Sequence, residues 1–460
     1  MATLDHELRQ YEARTRKSKQ AHDRAVKTIP LGVGSNYRFY EPYPLFVARA
    51  QGGHLWDLDG NEYIDFNMCF GALMAGHCHP AVQRAITDRM SKGTMYGMPH
   101  ELEAELAEEI SKRFPAMEMV RFGNGGADVT LYCVRLARAH TGRERIIKIE
   151  GGYHGGHDAV AISMKPSKEA AGDPKFPNSV PTGKGIPAST LQNTIAAPFN
   201  DLDALAKIFD RHKGQIAGLI TEPILMNLGI VMPDQGYLAG VHKLCANHGA
   251  VFILDEVKTG CKLAYGGACE YYGLKPDLVC LAKSIGGGVS LAAFGGRRDI
   301  MQNIADGKVF HAGTYNMNPL VLAAGLATMR EVLTHEVYPR LQKLNQMLLD
   351  GYNEQIKKTG LDAYMAGAGT NGAIMFSSKP VKNYRDWLNV DASLWRHYWF
   401  AMVNRGVLCQ PYWWDEQWTL CVAHTEQDIR KHVDTFAEIA PGLAVAQKSG
   451  LYAGVQAAGH

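Results

Sequence analysis

From Val120 onward the chain alternates short apolar runs with helix-favouring stretches, and this alternation limits the possible folds more than any other feature. A strand followed by a helix returns to the same sheet parallel to its predecessor, through a right-handed crossover that lays the helix on one face. Strands are expected at 119–122, 146–149, 194–197, 216–221, 251–254, 278–282 and 292–295, with covering helices at 127–141, 202–213 and 237–247. The pattern predicts an α/β domain on a mostly parallel seven-stranded sheet, spanning 66–330. Alternation stops after a long helix near 319–335. Beyond it, helices at 337–359 and 394–405 mix with short strands at 373–376 and 419–422, which predicts a smaller α+β domain over 331–460. The first 65 residues read as a helix at 4–28, a looped segment at 31–38, and a hairpin from 45–50 and 54–65. Its turn falls at Asp59-Gly60 or Gly60-Asn61. This segment is expected to contribute to the small domain and to an interface, and further helices are expected at 80–92 and 101–114.

Parallel strands end at one rim of the sheet, where open α/β sheets bind ligands. Two strand ends carry a pair of groups with a shared chemistry. The run 278–282 delivers Lys283 to a glycine run, Gly286-Gly287-Gly288, and the run 251–254 ends in Asp255. A lysine partly removed from water more readily offers its free amine to a carbonyl. Singly, a strand-end Asp is most often a cap and a strand-end Lys a snorkelling surface residue. Together they supply an amine for an aldehyde and an acid for a ring nitrogen, the pair that pyridoxal phosphate requires.

Three further strand ends carry candidate contacts. Phe122-Gly123-Asn124-Gly125-Gly126-Ala127-Asp128 joins a strand to a helix, and its glycines let backbone N–H groups approach an anion, or simply make a tight turn. Gly151-Gly152-Tyr153-His154-Gly155-Gly156 presents an aromatic that can stack on a planar ring, or a loop whose Tyr and His are incidental. In Thr221-Glu222-Pro223-Ile224-Leu225-Met226-Asn227, Glu222 suits backbone N–H groups and Asn227 a cofactor oxygen. His77-Cys78-His79 has no second ligand cluster at metal-site spacing, so no metal is expected.

Composition closes off other classes. The 48 basic and 46 acidic residues leave a formal charge of +2, too little to call for a nucleic-acid partner. Arg14 to Lys19, the most basic stretch, reads as a solvated helix face. Nine cysteines without a CxxC spacing point to reduced thiols in the cytoplasm. No apolar run approaches the ~18 residues of a membrane span, and the polar N-terminus has no secretory pattern.

The ordered series GVGSNYR, LWDLDGNEYIDF, GHCHPAV, EGGYHG, TEPI, FILDEVKTG, LAKSIGGG, HAGTYNMNPL and VAHTEQDI resembles the class III, fold-type-I pyridoxal-phosphate aminotransferases. It is most similar to the branch containing glutamate-1-semialdehyde 2,1-aminomutase, over nearly the whole chain. The resemblance implies Lys283 as the Schiff-base lysine, Asp255 as partner of the pyridinium nitrogen, Val257 on one ring face and Tyr153 as the stacking aromatic. It implies Gly125, Gly126 and Ala127 at the phosphate. It also implies Thr314 offered across a homodimer with shared active sites, and Arg38 and Glu416 near the substrate. The chain departs from the branch in three places. Asn124-Gly125-Gly126-Ala127-Asp128-Val129 replaces an Asn-Ser-Gly-Thr-Glu-Ala pattern, Phe70 stands where a Trp is usual, and Tyr315-Asn316-Met317 replaces small residues. The expected activity is amino transfer between small amino and oxo substrates, one of them carrying a carboxylate. The alternatives are an aminomutase, then a racemase or decarboxylase, then a non-catalytic cofactor-binding protein.

Overall fold

The structure is a computed structural model that describes residues 3–452, and the chain divides into two compact units. One comprises Pro80–Tyr338 with Val381–Leu388; the other comprises Met1–His79, Pro339–Pro380 and Asn389–His460.

The first unit holds the seven-stranded sheet. Its spatial order is Met119–Gly123, Ala292–Gly296, Leu278–Leu281, Val251–Asp255, Ile216–Thr221, Arg145–Ile149 and Thr194–Ala197. The last five pair parallel, with one register shift between Arg145 and Ile146, while Ala292–Gly296 runs antiparallel to both its neighbours. The central strands Ile216–Thr221 and Val251–Asp255 are buried along their whole length, as expected for strands covered on both faces. Helix Gly126–Thr141 lays Val129, Cys133, Val134, Leu136 and Ala137 on a core that includes Ile146, Ile220, Ile253 and Cys280. Gly218 allows that contact, because a Cβ there would come 2.8 Å from the Val251 carbonyl oxygen and 3.2 Å from the Ala137 Cβ. The helix predicted at 319–335 divides into Pro319–Ala327 and a π-helical turn, Thr328–Val332.

The second unit is assembled from both chain ends. Strands Val47–Gln51, His54–Asp57 and Glu62–Asp65 form an antiparallel meander, so the predicted hairpin gains a third strand, and Val407–Leu408 pairs parallel to its edge. A second sheet joins Tyr364–Ala368, Asn371–Met375 and Trp418–Thr419. Long helices Val337–Thr359 and Glu426–Lys448 and the shorter Trp395–Asn404 complete it. The N-terminal helix breaks at Thr15, whose hydroxyl donates back to the Tyr11 carbonyl at 2.6 Å, leaving Leu4–Arg14 and Arg16–Ala25. Residues 31–38 form two 3₁₀ turns, Pro30–Gly32 and Asn36–Arg38.

Candidate active site

The parallel register decides what gathers at the rim of the sheet. Lys148 lies opposite Ile220, Thr221 opposite Leu254 and Asp255 opposite Cys280. Glu150, Glu222, Asp255 and Lys283 therefore all emerge at the C-terminal ends of strands that point the same way.

Asp255 is 2% exposed and its two oxygens are engaged separately. Oδ2 lies 2.6 Å from Nδ1 of His154, and Oδ1 accepts the Val257 N–H at 3.0 Å. His154 is itself buried, and its carbonyl accepts the Thr130 hydroxyl at 2.6 Å. Nε2 of His157 is 3.3 Å from the same hydroxyl. Burial, then the neighbouring His154, pushes the His157 imidazole down to about 4, so it stays neutral at ordinary pH.

Glu222 organises the next strand end. Its Oε1 accepts the Tyr153 N–H at 3.0 Å, and Oε2 accepts the Met226 N–H at 3.2 Å and the Asn227 amide at 2.9 Å. Beside it Lys148, fully buried, donates to the Ile149 carbonyl at 3.0 Å. Burial pushes its ammonium down to about 7, against the opposing pull of Glu222 and Glu150. Arg385 meets Glu150 with two nitrogens, at 2.8 and 3.0 Å, while burial raises the Glu150 carboxyl above its ordinary range.

Lys283 opens the 3₁₀ turn Lys283–Gly286 with φ of 51°, a left-handed conformation that a non-glycine residue adopts only under constraint. The turn leaves through Gly287, where a Cβ would come 2.2 Å from the Thr328 hydroxyl oxygen and φ is +60°. Only glycine fits there, and this tight exit fixes the backbone from which Lys283 projects.

Gly125 is the N-cap of helix Gly126–Thr141 and supplies no side-chain cap. The first-turn N–H groups form the positive end of the helix dipole. A Cβ at Gly126 would come 3.1 Å from Val257, and one at Gly155 would come 2.6 Å from Ala127, so this cradle is closed around glycine. That close backbone approach, an N-terminus without a side-chain cap, a strand-end carboxylate and a strand-end amine fit pyridoxal phosphate. Thr314 is exposed, in a segment tied to the cradle by an Asn124-to-Asn316 amide hydrogen bond of 2.8 Å.

The other two residues singled out in the sequence belong to the second unit. Arg38 ends the Asn36–Arg38 turn and is exposed, and its guanidinium has no hydrogen bond or ion pair among the described residues, with Glu41 or any other. Glu416 is 2% exposed, and its carbonyl accepts the Gln410 amide at 2.8 Å.

Sequence reasoning passes over His154, because no local spacing marks it. Its partner Asp255 is about a hundred residues away, and only the strand order, which puts Ile216–Thr221 between their two strands, brings them together.

Fold and site define a pyridoxal-phosphate enzyme of fold type I. The profile of the class III aminotransferases matches residues 37–424, and the chain belongs to that family. It is 40% identical over 422 residues to a glutamate-1-semialdehyde 2,1-aminomutase of Desulforamulus reducens, covering 91% of this chain and 96% of the relative. Among solved structures it resembles an omega-transaminase from Sphaerobacter thermophilus, with a TM-score of 0.87, 30% identity, and coverage of 93% and 98% of the two chains. It also resembles a transaminase with pyridoxal phosphate bound, with a TM-score of 0.85, 29% identity, and coverage of 94% and 99%.

Proposed function

We propose that this chain transfers an amino group between a carboxylate-bearing amino compound and an aldehyde or keto acid. The observation that carries the reading is the register of Asp255 opposite Cys280, which sets a carboxylate and the lysine three residues past Cys280 at adjacent parallel strand ends. When bound, pyridoxal phosphate supplies an aldehyde that takes up the amine and a ring that accepts the electrons released by deprotonation.

The chain's own residues do the rest. Lys283 would hold the cofactor through its amine, and its freed Nζ would move a proton to and from the substrate carbon. Asp255 holds a proton on the ring nitrogen, with His154 and the Val257 N–H fixing the carboxylate's orientation. The N–H groups of Gly125, Gly126 and Ala127 bind the phosphate through the helix end. Tyr153 and Val257 would hold the ring between them, and the Asn227 amide, oriented by Glu222, would serve as a donor to a cofactor oxygen. Arg38 takes the substrate carboxylate with its planar two-donor fork, and Glu416 lies near the substrate.

The site is completed in a homodimer, where Thr314 of the partner subunit reaches the phosphate. Exposed Phe310, at 81%, and Tyr315, at 67%, flank that segment and support an interface there. An active, cofactor-saturated monomer in sedimentation would refute it. The nine free cysteines support a cytoplasmic location, and no helix among the described residues is long and apolar enough to cross a membrane.

A half-reaction screen tests the reading. Mixing loaded enzyme with one amino acid at a time should release oxo acid in an amount stoichiometric with enzyme, and turnover should then require a second oxo substrate. The relatives named as aminomutases favour a second reading, in which the amino group returns to a neighbouring carbon of the same molecule. That reading predicts turnover with no second substrate.

A further inference from the structure

The second unit contains a cavity of about 530 Å³ lined by Arg38, Asp65, Asn67 and His77 and for the rest mostly by aromatic and aliphatic side chains, among them Tyr37, Tyr40, Phe70, Trp399 and Tyr412. The volume lies within the range of small-molecule sites, and ~150 Å³ is already enough to hold a benzene ring. A short aliphatic acid held at Arg38 would leave most of this apolar wall uncovered.

The wall residues pack on one another. Tyr40 stacks on Tyr412 with centroids 4.8 Å apart, Trp399 meets Tyr412 edge-on at 5.2 Å, and Tyr37 meets Phe70 edge-on at 6.1 Å. The Tyr40 hydroxyl is turned to other partners, accepting the Leu45 N–H at 2.8 Å and lying 3.2 Å from the Tyr11 hydroxyl. Phe70 is held by a strained turn in which Met68, Cys69 and Phe70 all have left-handed φ of 44°, 51° and 57°. Asp65 clamps that turn, its Oδ1 accepting the N–H groups of Asn67 and Met68 at 2.9 and 3.1 Å and its Oδ2 pairing with His77 at 2.8 Å. The Asn67 side-chain oxygen is taken by the Phe70 N–H at 2.9 Å. Strain of this kind persists where surrounding contacts over-determine it, and it clusters at ligand sites.

The polar groups Asp65, His77 and Asn67 at the cavity are thus engaged with one another or with the backbone, whereas the Arg38 guanidinium has no partner among the described residues. One cation beside aromatic walls complements an anion with an apolar body. We propose that the substrate is an aryl-bearing amino acid whose ring enters this cavity. That its carboxylate is taken by Arg38 rests on the reading given above.

The test compares kcat/KM of the holoenzyme for phenylalanine and 3-amino-3-phenylpropanoate with that for alanine and β-alanine. It also measures, by calorimetry, binding of the unreactive 3-phenylpropanoate. Burial of a ring should favour the aryl member of each pair by about 30-fold or more. Gly34→Leu places a side chain where an added Cβ meets nothing within 4 Å at the cavity wall. It should lower the aryl-to-aliphatic ratio by roughly 10-fold and weaken 3-phenylpropanoate by a similar factor. Phe70→Ala, which relaxes the turn and removes one wall, should lower the ratio by a comparable amount if the leucine variant fails to fold. Equal kcat/KM within each pair, or equal losses for aryl and aliphatic acids in both variants, would overturn the proposal. Arg38→Ala separates the two readings. If it spares every carboxylate while Gly34→Leu still discriminates, the carboxylate assignment falls and the aryl cavity stands. If it weakens all carboxylates while neither cavity variant discriminates, the reverse holds.

Discussion

The two units bury different side chains, and their sensitivities to pH differ in consequence. In the sheet unit the core is largely aliphatic, and Lys148, Glu222, Asp255 and Glu256 are 3% exposed or less at or near the strand ends. In the unit built from both chain ends the largest fully buried side chains include Trp395, Trp399, Trp418, Tyr352 and Tyr398, and two imidazoles, His424 and His432, are buried among rings. Burial acts on both sets by the same physics, disfavouring the charged form. The first set lies at or beside the strand ends, and it tolerates the desolvation because each group has partners. The second packs, and packs best uncharged. The two units thus keep their buried titratable groups in different surroundings, one at strand ends and the other among rings.

The largest effect that would break this division is at Lys283. Lys283→Ala should lower turnover by at least ~10⁴-fold, the scale lost with a covalent nucleophile, while the fold is retained. Peptide mapping after borohydride reduction checks the assignment, and a label on any other lysine would reject it. Asp255→Asn should cost at least ~10²-fold, if the carboxylate supplies about 3 kcal/mol in the transition state. Near-normal turnover of that variant would show the strand-end carboxylate to be structural.

The same division explains which parts are legible in the sequence. The seven strands are legible because each is a short apolar run bounded by polar or glycine residues, and the expected ends fall within a residue of those observed. Lys283 and Asp255 are legible because strand ends are visible in sequence. His154 is not, since its pairing depends on strand order. The end-built unit is less legible. Trp418–Thr419 and Val407–Leu408 are two-residue strands that exist only because a distant partner is present. The turn that aims Phe70 departs from every local preference, and what overrides it is the Asp65 clamp.

The packed unit should be acid-sensitive. Burial pushes His424 down to about 4, and burial together with His424 pushes His432 down to about 3. Asp428 and Asp65 pull His424 the other way. Below about pH 6.5 the unfolded chain takes up protons that the folded imidazoles refuse, so stability falls with pH and continues to fall toward the folded values. The loss should reach on the order of 3 kcal/mol for each imidazole, about 6 kcal/mol for the two, by pH 4. Six of the seven tryptophans belong to this unit, so their fluorescence follows it in denaturation curves. His432→Gln keeps a polar partner for the Tyr352 hydroxyl, 2.9 Å away, and should flatten the slope. An unchanged slope would mean that the His432 imidazole charges freely in the folded state.

A second pH effect, of opposite cause, lies on the alkaline side, in the sheet unit. Lys148 is held down to about 7 by burial, while in the unfolded chain it titrates near its ordinary 10.5. Between those values the unfolded state binds one more proton than the folded one, so this residue makes stability rise with pH across the window. Below about 7 both states are protonated and the burial cost is present in full; above 10.5 neither is, and the cost is gone. Lys148→Met removes the titration. Relative to wild type it should therefore lose a stability slope of up to roughly 1.4 kcal/mol per pH unit between the two values, read by urea denaturation at several pH values. The absolute change at any one pH is less diagnostic, because the variant also leaves the Ile149 carbonyl without its 3.0 Å donor. Parallel stability curves for the two proteins would mean that Glu222 and Glu150 keep the buried ammonium charged, and that the sheet unit holds its ions as a compensated network.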